Sequence, residues 1–119
     1  MKVVADLQIH SRFARAVSPR MTLPVISQWA RKKGIDLVAT GDWTHPIWYR
    51  ELVNNLEEVS PGLYKLKDSI DSTRFLLSTE VSSIYSQGGK VRRVHTLIFA
   101  PSLGVVEKIN KELTLRGAN

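Results

Sequence analysis

Val3-Val4-Ala5-Asp6-Leu7-Gln8-Ile9-His10-Ser11 passes from apolar to polar within one short segment, and its reading decides the rest of the chain. Taken as a strand from Val3 to Ile9, it alternates its side chains. Asp6, Gln8 and His10 then share one face while Leu7 and Ile9 pack on the other. Side chains able to ligate a metal or carry a proton would stand together at the strand's C-terminal end. For an isolated x-Gln-x-His, the plainer reading is a polar strand edge with a hydrogen-bonded histidine. The downstream sequence weighs against that reading.

Thr22 is placed to cap a helix with Pro24 in its first turn. Leu23, Ile26, Trp29 and Ala30 lie along one face, and Gly34 is its stop. Ile35 to Thr40 is a short, nearly continuous apolar run, as expected of a strand covered on both faces. Strand, helix and strand make a β-α-β unit, whose crossover pairs its strands in parallel. Gly41-Asp42-Trp43-Thr44-His45-Pro46 follows the second strand as Gln8 and His10 follow the first. In parallel α/β folds, sites are built at such strand ends.

Ile47 to Leu56 reads as a helix with Trp48, Leu52 and Leu56 spaced by four, ended by Ser60-Pro61-Gly62. Leu63 to Lys67 reads as a short strand or hairpin arm. Arg74 to Glu80 is the third main strand, closing on an acidic side chain, with Val81 to Tyr85 a candidate extension. A turn at Gln87-Gly88-Gly89 leads to a fourth strand, Val91 to Ala100, carrying His95. Pro101-Ser102 then opens an amphipathic helix with Val105, Val106, Ile109 and Leu113 inward.

A chain of 119 residues with 43% hydrophobic content fits one globular domain. Cysteine is absent, which excludes disulfides and thiolate zinc sites and leaves nitrogen and oxygen ligands for any metal. No stretch reaches a membrane span, and Val3 to Ala5 is too short for a signal peptide, so the expectation is a cytoplasmic protein without membrane contact. The net charge of +6 falls entirely within residues 1–34, and the remainder balances. Arg31-Lys32-Lys33 is explained by a helix C-terminus. Arg12, Arg15 and Arg20 are not, and they suit a phosphate-bearing partner.

His10, His45 and His95 are the chain's three histidines, and Asp6, Asp42 and Glu80 occur at three of the same strand ends. Each alone is more often a packed or surface residue. Together, imidazoles and carboxylates converging from successive strands are what a catalytic site for a divalent metal such as Zn, Mn or Fe needs.

These residues carry a resemblance. Ala5-Asp6-Leu7-Gln8-Ile9-His10-Ser11-Arg12-Phe13-Ala14-Arg15, Gly34-Ile35-Asp36, Thr40-Gly41-Asp42-Trp43-Thr44-His45-Pro46, Ser78-Thr79-Glu80-Val81 and Val94-His95-Thr96-Leu97-Ile98-Phe99-Ala100-Pro101 resemble the N-terminal part of the polymerase-and-histidinol-phosphatase (PHP) superfamily. Within it the likeness is to the endonuclease Q branch. The resemblance implies an α/β fold, the N-terminal portion of a distorted β/α barrel with mostly parallel strands, so that residues 1–119 form one incomplete domain. It implies a hydrolase of DNA repair that nicks beside deaminated bases such as uracil and hypoxanthine, using divalent metal (Zn, Mn or Mg).

Carried over by position, Gln8, His10, His45, Glu80 and His95 would ligate metal, with Glu80 bridging, and Glu80, Asp42 and His45 would be catalytic. Asp6 would brace a histidine or the backbone. Arg12, Arg15 and Arg20 would face DNA, with Phe13, Trp43 and Trp48 as stacking surfaces or, as the plainer alternative, core.

Two departures qualify this expectation. Gln8 stands where the family opens with histidine, so one metal would be weakly held or missing. The family's later strands, with a last histidine and an Asp-x-His pair, have no counterpart here. The expected partners are therefore DNA and either a polypeptide carrying the missing C-terminal strands or a second copy of the chain. Two other readings remain: a non-catalytic nucleic-acid-binding or barrel-completing subunit with a degenerate metal site, and a small-molecule phosphoesterase, which the basic N-terminal segment disfavours.

Overall fold

The computed structural model describes residues 1–13 and 18–117. Strand β1 (Ala5–Asp6) leads into helix α1 (Leu23–Lys33), strand β2 (Leu37–Ala39) and helix α2 (Pro46–Asn55). The hairpin of β3 (Leu56–Ser60) and β4 (Leu63–Leu66) follows. Two long strands, β5 (Arg74–Gln87) and β6 (Lys90–Ala100), then lead to helix α3 (Leu103–Leu115).

The β-α-β unit forms as expected, with β1 parallel to β2 and β2 parallel to β5. Gly34 ends α1 in the left-handed conformation, its N–H reaching the carbonyls of Ala30 and Arg31, as a glycine C-cap does. Thr22 takes the N-cap backbone conformation, but its hydroxyl makes no capping bond. Strand β1 is shorter than the expected Val3–Ile9 because side chains take over the backbone around it. Asp36 Oδ2 accepts the Val4 N–H at 2.9 Å, and Asp6 Oδ1 accepts the Gln8 N–H at 3.2 Å.

The sheet is mixed but leans parallel, with β1, β2 and β5 side by side in one direction as expected. Its order is β1-β2-β5-β4-β3 with β6 on β5, and β3, β4 and β6 join antiparallel. Among the described residues this sheet is open rather than closed into a barrel. Ser60-Pro61-Gly62 is the turn of the β3–β4 hairpin rather than a helix stop. Leu56 leaves α2 for β3, and Glu57 pairs with Lys65 across that hairpin.

The core lies between α1, α2 and the sheet, with Ile26, Val38, Trp48, Leu52 and Phe75 fully buried. Helix α3 is held at its start. Ser102 Oγ caps it from the Val105 N–H at 3.2 Å, Tyr64 Oη accepts the Leu103 N–H at 3.1 Å, and the Tyr49 hydroxyl donates to the Leu103 carbonyl at 3.4 Å. Burial pushes both tyrosine hydroxyls above their usual pKa, with Glu107 adding to the rise at Tyr49 and Glu58 at Tyr64, against the lowering effect of the Leu103 backbone. Of its expected inward face only Val106 is buried, while Val105, Ile109 and Leu113 stay partly exposed.

Candidate active site

The end of β2 is pressed against the segment after β1, and glycine makes that approach feasible. Gly41 has φ +67°, and a Cβ there would lie 2.4 Å from the Ile9 carbonyl oxygen. Its N–H donates to Ser78 Oγ at 2.9 Å on β5. Its carbonyl accepts the buried Trp48 indole N–H at 2.8 Å. Asp42 follows in the same left-handed region, φ +52°, which short polar residues tolerate. Its Oδ2 accepts both the backbone N–H and the hydroxyl of fully buried Ser11, at 2.6 and 2.7 Å.

That brace holds His10 between two carboxylates. His10 Nδ1 lies 3.5 Å from Asp42 Oδ1, and Nε2 lies 3.5 Å from Glu80 Oε2. On its other side, Glu80 Oε1 is 2.8 Å from Nδ1 of His95, which also contacts Ser82 Oγ at 2.9 Å. The two residues come together because β5 and β6 pair Ser82 with His95. Glu80 and Ser82, two residues apart, share a face of the ribbon. Glu80 is 15% exposed against 41% and 52% for His10 and His95. The carboxylate is thus the floor of the cluster, and the imidazoles are its open rim.

Gln8 reaches the same carboxylate, its amide nitrogen 3.4 Å from Glu80 Oε2. As placed it is a hydrogen-bond donor to Glu80. Asp6 serves the backbone, through the Gln8 N–H. His45 is directed elsewhere: it is the N-cap of α2, its Nδ1 facing the Trp48 N–H at 3.5 Å. Its ring stacks on Phe13 with centroids 4.2 Å apart. No hydrogen bond or ion pair joins it to Glu80 among the described residues.

Arg12 pairs with Glu51 and lies 4.4 Å over the Phe13 ring, so its charge is matched inside the fold. Arg20 is exposed just before α1, and Arg15 lies outside the described residues. Trp43 and Trp48 are fully buried and serve as core rather than as stacking surfaces.

The donor chemistry suits a borderline divalent ion. The 3.5 Å separation of His10 Nε2 from Glu80 Oε2 approximates the ~3.4 Å edge of a tetrahedron of donors at roughly 2.1 Å from a metal, whereas the Gln8 amide nitrogen donates a hydrogen bond and is no ligand. Yet no group of three or more His, Asp or Glu among the described residues is arranged to hold an ion. The residues therefore fit part of a metal centre in chemistry and spacing, but not a whole one in number.

Ser11, Gly41 and Ser78, which position the cluster, were not singled out by the sequence. The Gly41-Asp42 pair was the available signal, since adjacent residues of these types favour a left-handed turn. A groove of about 1330 Å³ between α2, α3 and β5, bordered by Tyr49, Val53, Glu80, Asn110 and Leu113, was likewise unforeseen. Its signal was the weakly filled apolar face of α3.

No family model matches the sequence. The chain is 34% identical over 108 residues to an uncharacterized protein of Methanocaldococcus jannaschii, a match that spans 91% of this chain and 11% of that protein. It is similar to the crystal structure of the lesion-specific endonuclease PfuEndoQ from Pyrococcus furiosus, at 31% identity and TM-score 0.76. It is also similar to endonuclease Q in complex with a 27-mer duplex substrate bearing an abasic lesion at the active site, at 33% identity and TM-score 0.77. Each match covers 95% of this chain and 26% of the other.

Proposed function

We propose that this chain is the Glu80-bearing portion of a lesion-directed DNA endonuclease of the endonuclease Q kind, built as part of a PHP-type barrel. The observation that carries the reading is the convergence of Gln8, His10 and His95 on the Glu80 carboxylate, in a chain whose likeness to endonuclease Q runs over 95% of its length. The reaction is hydrolysis of a phosphodiester beside a deaminated or missing base.

His10, Glu80 and His95 would supply part of the ligand set of a divalent-metal centre, whose ion when bound would acidify a water and offset charge on the phosphate. Asp42 and Ser11 keep His10 in place, and Gln8 donates to Glu80 and steadies its orientation. Further ligands come from strands beyond this segment, in the same polypeptide or a partner.

A labelled duplex containing deoxyuridine or deoxyinosine tests this. The chain alone is expected to nick it weakly or not at all. Mixed with a polypeptide carrying the remaining strands, it is expected to nick beside the lesion, and Glu80→Gln is expected to abolish the activity. Equal cleavage of lesion-free duplex, or activity indifferent to Glu80→Gln, would refute the reading. The second reading, a DNA-binding or barrel-completing subunit without catalysis, is favoured by the amide of Gln8 standing where an imidazole would ligate. It predicts lesion binding without nicking even after complementation.

A further inference from the structure

We propose that the β5–β6 ribbon beyond Glu80 is a duplex-DNA-binding arm, with Lys90, Arg92 and Arg93 contacting phosphates. The proposal rests on the endonuclease reading for its polyanionic partner, but its evidence is separate from the Glu80 cluster. From Val81 to Val106 the sequence has no acidic side chain, while Lys90, Arg92 and Arg93 fall together beside the turn. Every residue from Ser82 to Leu97 is exposed, so these cations do not support the core.

The ribbon is regular, pairing Leu77 with Ala100 through to Gln87 with Lys90 without a register break. Gly88 and Gly89, at φ +59° and +76°, close it with the two-residue turn that suits the twist of a hairpin. Two strands with both faces in water gain little from packing, so a regular, exposed ribbon is expected to have a partner.

Three cations, with no acidic residue from Val81 to Val106, favour a polyanionic partner, and the exposed Ile84, Tyr85, Val91 and Val94 make up the apolar part of the arm's surface. Arg92 stands opposite Tyr85 and Arg93 opposite Ile84. By strand alternation, Lys90 and Arg92 face one way and Arg93 the other. Cations on both faces of a narrow arm suit phosphate backbones on either side, and the major groove, about 12 Å wide, admits a two-stranded ribbon. From Glu80 to Gln87 the strand runs about 24 Å at ~3.4 Å per residue. Laid along the duplex axis, the arm would reach roughly seven base pairs from a phosphate held at Glu80, at 3.4 Å of rise per pair.

The test uses lesion-free duplex, so that it does not depend on lesion recognition. Binding of the chain is measured between 50 and 200 mM salt for wild type, for Lys90→Gln/Arg92→Gln/Arg93→Gln, and for the charge-matched control Lys32→Gln/Lys33→Gln/Lys108→Gln. All six positions are exposed, so folding is expected to survive, and circular dichroism checks it. Losing three phosphate contacts flattens the log–log salt slope by about 2.7, so the ribbon variant should lose about 40-fold less affinity than wild type over that range. The control should keep the wild-type slope.

Undetectable duplex binding, an unchanged slope in the ribbon variant, or an equal change in the control would each overturn the proposal. If the ribbon variant alone flattens the slope but the complemented chain nicks lesion-free and lesion-bearing duplex alike, the arm stands and the lesion-directed reading falls.

Discussion

The two ends of strand β5 have opposite surroundings. At one end Phe75 and Leu77 are fully buried, with β2 and β4 as neighbours of Phe75. At the other, from Ser82 onward, β5 has β6 as its partner and every side chain is exposed. Glu80 sits where one regime gives way to the other. A site carboxylate must be held by a rigid scaffold and still be reached from solvent, and the packed end of β5 provides the first condition while the ribbon provides the second.

The largest effect is expected where the packed end is broken. Phe75→Ala should cost about 3–5 kcal/mol of stability, since it empties the middle of the core, and chemical denaturation should register it as a drop in midpoint. Gly41→Ala comes next, at about 1–3 kcal/mol from its left-handed backbone alone. A Cβ 2.4 Å from the Ile9 carbonyl also forces the strand ends apart, so this variant should separate His10 from Glu80 as well as lower stability. Crystallography or histidine NMR would detect the separation.

Tyr64→Phe removes the acceptor for the Leu103 N–H and should cost about 1 kcal/mol, with hydrogen exchange rising first in α3. The pH dependence has the matching sign. Folded-state tyrosine pKa values above the usual 10.0 mean that the folded state prefers the neutral hydroxyl. This contribution to stability is fully present below pH 10 and is lost as pH climbs through the raised values. At the exposed end, Val91→Thr should change stability by less than about 0.5 kcal/mol, which would confirm that the ribbon adds little to the core. A loss comparable to that of Phe75→Ala would mean that the ribbon is part of it, and would break the comparison.

Much of this was legible in the sequence because it is local. Gly34 as a helix stop, Trp48 and Leu52 on one helix face, Pro101-Ser102 as a helix start and the glycine pair of the ribbon turn each follow from spacing and backbone preference. The pairing of β5 with β6 was also within reach, since alternation through a two-residue turn fixes which residues face each other and so brings His95 to Glu80.

What was not legible depends on competition between distant groups. His45 has the right type and position for a ligand, yet its Nδ1 faces the first turn of α2 and its ring lies on Phe13. Arg12 is a fair candidate for phosphate until Glu51, far away in the sequence, neutralises it. Leu56 continues the helical spacing but pairs with Leu66, because strand partners outweigh propensity at a helix end. Gln8 shows its role as donor only once Glu80 is in place beside it.

The central claim is that Glu80 joins His10 and His95 into one centre from which His45 stands apart, and imidazole NMR during a zinc titration tests it most directly. The account predicts that His10 and His95 shift together, with weak affinity, while His45 does not respond. Glu80→Gln should uncouple the two, and Gln8→His should tighten binding. If His10 and His95 respond at different zinc concentrations, or if His45 shifts in step with either, the claim is contradicted.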